Sequence, residues 1–188
     1  MTLSDIRIST ERLIIRPFAA NDFPSFLAYH RLPEVYRFLY QAPLDETAAR
    51  AKFAKASAPR LEDDGDVAVF AVERQDDGVV LGEVLLKLAS KAAGQAETGY
   101  IFNPAFAGKG YATEAMRSVL NLGFSTLNFH RIFARLDALN SGSVGVVERL
   151  GMRREAHLIE NDRFNDTWGD EFVYALLRRE WLAKGQTA

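Results

Sequence analysis

Two glycines separated by one residue, Gly108 and Gly110, lie between a short apolar run and the most regular amphipathic segment of the chain. The run is at 100–102, and apolar residues then recur at helical spacing over 112–127. A glycine-rich turn at a helix start exposes several backbone N–H groups at one point, where the helix dipole adds positive potential. Such turns bind phosphate, so we expect a phosphate-bearing ligand at 104–116.

The turn differs from two common nucleotide-binding motifs. A P-loop needs wider glycine spacing and a hydroxyl directly after its lysine, whereas Gly110 follows Lys109 here. The dinucleotide-binding pattern needs a third small residue where this chain has Thr113. Taken alone, the turn also fits an ordinary loop that enters a helix. The hypothesis of a nucleotide-binding phosphotransferase would have this turn as its only support.

Length and composition favour a single globular domain, 1–188, with 48% hydrophobic and 26% charged residues. The formal net charge is −2 and no Lys/Arg cluster stands out, so no nucleic-acid partner is expected. No apolar run approaches the roughly 20 residues of a membrane span, and no signal-peptide pattern begins the chain. Cysteine is absent, which excludes disulfides and a cysteine nucleophile. A cytoplasmic location is the default expectation.

Periodicity and turn residues predict alternating strands and helices. Strands are predicted at 13–18, 67–73, 79–88, 97–102 and 132–137, with two more around 161–166. Helices are predicted at 23–31, 33–39, 46–56, 112–127 and 141–150, the first capped by Asn21 or Asp22 and the third by Asp45. The strand–helix–strand unit at 97–137 implies a parallel strand pair in an otherwise antiparallel sheet. The expected fold class is therefore mixed α/β.

Three separated segments agree in type and spacing. They are Gly-Lys-Gly-Tyr-Ala-Thr-Glu-Ala at 108–115, Asn-Ser-Gly-Ser at 140–143 and Glu-Arg-Leu-Gly-Met at 148–152. Together they resemble the GNAT acyltransferase family, and the segments 10–17 and 168–181 are similar to its RimJ/RimL branch. The resemblance spans about 10–181. It implies a mostly antiparallel twisted sheet with one splayed parallel strand pair, flanked by helices.

The resemblance implies that acetyl-CoA, the acyl donor, enters between the splayed strands. The pantetheine arm would pair with the backbone of Tyr100, Ile101 and Phe102. The pyrophosphate would lie on the turn, at Gly108, Lys109, Gly110, Tyr111, Ala112 and Thr113. Asn140 would bond the pantetheine amides, and Ser143 would lie near the sulfur as proton donor. Helix capping is the alternative role for this Asn-x-x-Ser segment.

The implied reaction is direct attack of a neutral amine on the thioester, with no covalent enzyme intermediate. A backbone N–H near Ile101 or Phe102 would stabilise the oxyanion. Glu97 is the candidate base, and an exposed strand carboxylate is its alternative reading. Asp137 lies on the same strand face as Arg135, and a structural contact between them is expected.

Several positions depart from the family pattern. Arg135 and Val147 stand where some members carry a glutamate and a tyrosine, so a mechanism that uses that pair does not transfer. A water chain, or an amine that arrives already neutral, is the alternative. Ala107 replaces the usual Arg or Gln that opens the turn, which predicts weaker cofactor binding. His30 and His157 are expected at the surface or in a hairpin, and the histidines are too scattered for a metal site.

The acceptor is expected between the first two helices, the loop before Val67 and the last hairpin. Four aromatic residues there either line the site or fill the core: Tyr29, Tyr36, Phe38 and Tyr40. The leading hypothesis is acetylation of a primary amine, with a protein or peptide N-terminus first. The alternatives are a small amine (polyamine, amino acid or aminoglycoside) and a non-catalytic acyl-CoA-binding domain. A homodimer is compatible with the sequence, which does not define the oligomeric state.

Overall fold

One sheet of eight strands organises the structure, a computed structural model that describes residues 2–183. The strands are β1 Ile8–Ser9, β2 Leu13–Arg16, β3 Val67–Arg74, β4 Val80–Ser90, β5 Gln95–Phe102, β6 Arg131–Asp137, β7 Arg153–Phe164 and β8 Thr167–Leu177. Their order across the sheet is β1-β2-β3-β4-β5-β6-β8-β7. Only β5 and β6 run parallel among these strands. The mixed α/β prediction is confirmed; Met1 and 184–188 of the expected domain lie outside the described residues.

Helices cover both faces of this sheet. They are α1 Phe23–His30, α2 Pro33–Tyr36, α3 Glu46–Ala56, α4 Tyr111–Asn121, α5 Ser141–Arg149 and α6 Arg178–Ala183. A π-helical turn, Leu122–Thr126, continues α4, so the long predicted helix is α-helical only in its first part. No helix within residues 2–183 has the length and hydrophobicity that a membrane span requires.

The predicted helix caps have different outcomes. Asp45 caps α3 as predicted, because its Oδ1 accepts a hydrogen bond from Ala48 N at 2.7 Å. The predicted cap at Asp22 is wrong. A short 3-10 helix leads directly into α1, and the Asp22 carboxylate accepts instead from Ala19 N and from the Arg16 guanidinium. The ion pair with Arg16 explains why a charged residue is buried there.

The parallel pair separates after three residues. Cα partners are Gln95–Arg131, Ala96–Ile132 and Glu97–Phe133, and the pairing ends there. From that point β5 stays paired with β4 as far as Phe102, and β6 stays paired with β8 as far as Asp137. The facing edges at 98–102 and 134–137 therefore border a wedge-shaped gap, which confirms the predicted splayed strands.

Two apolar cores lie on opposite faces of the sheet. Neighbouring residues of β3 alternate between them, since Phe70 and Val72 belong to the larger core and Ala71 to the smaller. The larger core includes Met116 and Leu120 of α4. The smaller core lies under α1 and α3 and contains Phe18, Phe26, Tyr29, Ala49, Ala56, Ala71 and Val80. The middle of β3 is thus buried on both faces, and the sheet becomes more exposed toward β5 and β6.

Gly82 allows β4 to approach β5 beside the gap. A Cβ at this position would lie 2.3 Å from Ile101 O and 2.7 Å from Phe102 Cα. Because these are backbone atoms, β5 would have to move. We expect Gly82→Ala to lower the free energy of unfolding by about 1–3 kcal/mol in urea titrations.

Gly142→Ala is the matched control, since its Cβ would meet no atom closer than 3.6 Å and the residue lies in α5. Alanine favours helices over glycine by up to about 1 kcal/mol, so stability should be unchanged or higher. Equal losses in both variants would contradict the close-approach explanation.

Candidate active site

The glycine turn forms one end of the candidate site. Gly108 and Gly110 have φ of +76° and +80°, in the left-handed region that favours glycine, and Gly110 is the N-cap of α4. The first hydrogen bond of the helix runs from Glu114 N to Gly110 O at 3.1 Å. In the described part of the chain, the N–H groups from 108 to 113 have no recorded acceptor. They form a cluster of free donors that fits a pyrophosphate.

Arg12, the residue directly before β2, contacts this turn and was not identified from the sequence. Its guanidinium donates to Lys109 O at 3.0 Å and forms an ion pair with Glu114, and it lies 4.6 Å above the Tyr111 ring. Glu114 also accepts from Thr10 Oγ1 and from Arg12 N. These contacts, above all the hydrogen bond from Thr10, hold the pKa of Glu114 below its usual value against the opposing effect of burial. The one sequence signal was that Thr10 and Arg12 lie in the segment 10–17, which resembles the opening of the RimJ/RimL branch.

Tyr100, Asn140 and Ser143 converge beside the gap. Asn140 Oδ1 caps α5 by accepting from Ser143 N at 3.0 Å. Its amide nitrogen has no recorded partner among the described residues. The Tyr100 hydroxyl donates to Ser143 Oγ at 2.9 Å, so the Ser143 proton is free to point elsewhere. Burial raises the pKa of Tyr100, which keeps the phenol protonated. The capping and site roles of Asn140 are compatible.

Backbone direction decides which groups of β5 face the gap. Asn103 N donates to Leu81 O at 2.9 Å, and pairing alternates along an antiparallel ladder. The N–H and C=O groups of Tyr100 and Phe102 therefore point toward the gap. The N–H and C=O groups of Ile101 point toward β4. Its side chain packs against the smaller core, on the face of the sheet opposite the side chains of Tyr100 and Phe102.

The face opposite Tyr100 and Ser143 carries three other residues discussed above, Glu97, Arg135 and Asp137. Together with Leu85 and Gly99 we call them the open sheet face. Glu97 lies at the vertex of the gap, with its carboxylate 3.5 Å from Lys87 Nζ. It is therefore on the other side of β5 from the Ser143 hydroxyl. The structure brings Ser143, Asn140 and Tyr100 together but does not place Glu97 with them.

The predicted contact between Arg135 and Asp137 is wrong. Arg135 donates two hydrogen bonds to Glu171, at 2.7 and 2.5 Å, while Asp137 accepts from the Tyr40 hydroxyl and from Leu139 N. The cause is the register of β8, which puts Glu171 directly opposite Asp137. Like charges in that position repel, so each carboxylate takes a different donor.

His30 is also placed differently from the prediction. It is the last residue of α1 and is fully buried. Its Nδ1 lies 2.6 Å from Tyr36 Oη, and its Nε2 lies 3.2 Å from Glu83 Oε2. Tyr29 donates to the same Glu83 oxygen at 2.8 Å. Tyr29 and Tyr36 are thus core residues, whereas Tyr40 reaches the end of β6. His157 lies in the β7–β8 hairpin as predicted, next to Asp170.

Comparisons with known proteins agree with this geometry. The sequence model of one protein family, the acetyltransferase (GNAT) domain, matches residues 12–153. The chain belongs to the GNAT acetyltransferase family. It is 32% identical over 178 residues to the N-acetyltransferase YnaD of Bacillus subtilis, covering 94% of this chain and 99% of that one. It is an acetyl-CoA-dependent acyltransferase, as the sequence predicted.

Solved structures of the family share the fold. A GNAT acetyltransferase from Bacillus anthracis superposes with a TM-score of 0.84 at 29% identity, over 93% of this chain and 100% of that one. Spermidine N-acetyltransferase from Vibrio cholerae, solved with CoA and spermine, gives 0.80 at 22% identity, over 92% and 99%. The family is confirmed, but the RimJ/RimL branch is not, because the relatives include spermidine acetyltransferases.

Gly110→Ala tests the turn. The left-handed conformation costs a non-glycine residue about 1–2 kcal/mol, so we expect the affinity for CoA to fall about 5- to 30-fold in calorimetric titration. Gly65→Ala is the matched control, because Gly65 has φ of +95° and donates to Leu88 O, at the end of β4 far from the glycine turn. It should lose similar stability and keep its CoA affinity. Equal CoA affinities of the two variants would contradict the assignment.

Proposed function

We propose that the chain is an N-acetyltransferase that transfers an acetyl group from acetyl-CoA to a primary amine, with a protein or peptide N-terminus as the first acceptor to test. The observation that carries the proposal is the gap between β5 and β6, which has free N–H donors at its mouth and the Tyr100–Ser143 hydroxyl pair along one side. The catalytic unit would be the single domain 1–188.

The proposed cofactor path follows the free edges of the gap. The pyrophosphate binds the backbone of the turn, from Gly108 to Thr113, and Lys109 adds positive charge. The pantetheine arm runs back along β5, where Tyr100 and Phe102 present backbone groups and the Asn140 amide is available. The thioester then lies toward the vertex of the gap, near Gly99, which has no side chain to block it.

The proposed chemistry separates the two proton transfers between the two faces of the sheet. The amine approaches over the open sheet face, its nitrogen bonds to the thioester carbon, and the C–S bond breaks. Glu97 takes the proton from nitrogen, and Ser143 gives one to the leaving sulfur. Tyr100 holds the Ser143 oxygen, which leaves the Ser143 O–H for the sulfur. Solvent then takes the proton from Glu97 and returns one to Ser143, so that in sum one proton passes from nitrogen to sulfur and the enzyme is unchanged.

A small polyamine is the second candidate acceptor. The observation that favours it is the carboxylates at the far side of the open sheet face, where Asp137, Asp162 and Glu171 surround the Tyr40 hydroxyl and raise its pKa together with burial, the largest cause. The Vibrio cholerae enzyme of the same fold was solved with spermine bound, which is a reason to test polyamines beside peptides. A peptide N-terminus offers one cationic group to these carboxylates, and a polyamine offers several.

Incubation with acetyl-CoA and a mixed panel identifies the acceptor. The panel contains peptides with free N-termini, polyamines, amino acids and aminoglycosides, and mass spectrometry detects the acetylated products. We expect acetylated peptide. A polyamine product in its place would support the second candidate. CoA binding without any product from the panel would contradict the proposed acceptor class.

Ser143→Ala tests the proton donor. We expect kcat to fall about 10²- to 10⁴-fold, the usual range for general acid catalysis, with little change in CoA affinity. Tyr100→Phe should give a smaller loss, because it removes the partner and keeps the donor. Ser118→Ala is the control, since Ser118 bonds a helix carbonyl in α4 and should leave kcat unchanged. Wild-type kcat in Ser143→Ala would exclude the assigned role.

A further inference from the structure

Glu83 is the most deeply buried carboxylate of the described chain, with a residue exposure of 1%. It interrupts an apolar run in the middle of β4 and faces the helices of the smaller core. Both recorded hydrogen bonds are made to one oxygen, Oε2, by Tyr29 Oη and His30 Nε2. For Nε2 to donate, the proton of a neutral imidazole must lie on Nε2, and Nδ1 then accepts from the Tyr36 hydroxyl.

The histidine is suited to this arrangement. Burial lowers the pKa of His30 below its ordinary value, although Glu83 acts in the opposite direction. The neutral ring therefore behaves as a fixed hydrogen-bond donor toward the carboxylate. Tyr29 and Tyr36 have raised pKa values, mainly through burial, and stay protonated. The cluster holds one oxygen of Glu83 rigidly with uncharged donors.

The other oxygen, Oε1, is unpartnered among the described residues. In that part of the chain, no fully buried side-chain N or O atom lacks a hydrogen-bond partner. Oε1 therefore touches solvent-accessible space even though its residue is almost completely covered. The exposure of this strand face rises from Glu83 to the partly buried Leu85 and the exposed Lys87. Solvent is therefore nearest to Oε1 on the side of Glu83 that leads along β4 toward the open sheet face.

The register of the sheet places Glu83 next to the proposed reaction centre. Leu85 is the Cα partner of Gly99, and Glu83 is the partner of Ile101. Glu83 and Gly99 are therefore diagonal neighbours on one face, with Cα atoms about 7–8 Å apart, a separation that long side chains can bridge. Glu97 approaches Gly99 from the vertex, two residues along β5. Gly99 lies between the two carboxylates.

The other carboxylates nearby compete little with Oε1 for an amine, because each already has a partner. Asp137 and Glu171 of the open sheet face already accept hydrogen bonds from Tyr40 and Arg135, and Glu97 has Lys87 beside it. The cation that faces Glu83 is Lys52 of α3, and no ion pair within 4 Å joins them in the described residues. Burial lowers the pKa of Lys52. A free carboxylate oxygen at the edge of an apolar core is a site for a small cationic group.

We propose that Glu83 is the anchor for the acceptor amine: its Oε1 accepts a hydrogen bond from the primary amine and holds the nitrogen above Gly99, while Glu97 takes the transferred proton. This inference rests on the proposed function and deepens it. His30 and Tyr29 are positioning residues, because they hold Oε2 and thereby aim Oε1. The anchor binds the nitrogen of any primary amine, peptide or polyamine.

Calorimetric titration of the CoA-loaded protein tests the anchor, because CoA carries no acetyl group and the amine binds without turnover. The probes are spermidine and a tripeptide amide with a free alanyl N-terminus. We expect the wild type to bind at least one of them, and Glu83→Gln to weaken that binding about 10- to 100-fold, the range for losing a hydrogen bond to a charged group. CoA affinity should stay within twofold.

Three further variants separate anchoring from structural damage. Glu83→Asp retracts the carboxylate by one methylene and should also weaken amine binding about tenfold or more, which keeps the test valid if Glu83→Gln does not fold. Tyr29→Phe removes one of the two donors to Oε2 and keeps the one from His30, so Oε1 stays largely aimed and the effect should be smaller. Glu155→Gln is the control, because the Glu155 carboxylate pairs with Arg131 and Arg153 and lies outside the proposed amine site. It should leave amine affinity unchanged.

The outcomes distinguish the two proposals. Unchanged amine affinity in Glu83→Gln, no amine binding by the wild type, or an equal loss in Tyr29→Phe would overturn the anchor. If the wild type acetylates either probe while Glu83→Gln binds it normally, only the anchor fails. If neither probe nor any amine of the panel is acetylated, the proposed function fails, and the binding data then decide separately whether Glu83 holds an amine.

Discussion

The site depends on a parallel ladder that stops after three residue pairs. Beyond Glu97 and Phe133, each strand keeps its antiparallel partner on one side, so the two inner edges present backbone donors and acceptors with nothing opposite them. Unpaired edge groups strongly favour an added extended segment. The same separation opens a passage between the two faces of the sheet. In the proposed function, this one interruption supplies both the edge for the cofactor and the route by which the acceptor reaches it.

Much of the fold and half of the site were predictable from the sequence, because their determinants are local. The glycine turn, the long amphipathic helix and the strands around them follow from periodicity and conformational preference at neighbouring positions. The same holds for Asp45, which caps α3 within its own turn. The splay followed from the family resemblance alone, since no residue pattern in β5 or β6 announces where their pairing ends.

What the sequence did not reveal depends on contacts between distant segments. Arg135 and Asp137 were paired with each other because they are neighbours on one strand, but the register of β8 brings Glu171 against both. Arg12 lies 97 residues from the carbonyl it braces. His30 and Glu83 did carry a local signal. His30 is four residues after the buried Phe26 on α1, and Glu83 interrupts an apolar strand, so both fall on core-facing positions.

Tyr40 joins the segment after α2 to two strands that border the site. It has a left-handed backbone, with φ of +50°, and its ring lies against Gly169, where a Cβ would overlap the phenol oxygen at 1.7 Å. Its hydroxyl is bonded to Asp137 at the end of β6. The segment after α2 therefore reaches over to the ends of β6 and β8, and the glycine at 169 leaves the space that the Tyr40 ring occupies. Any side chain at residue 169 would displace that ring and, with it, the donor that Asp137 now has.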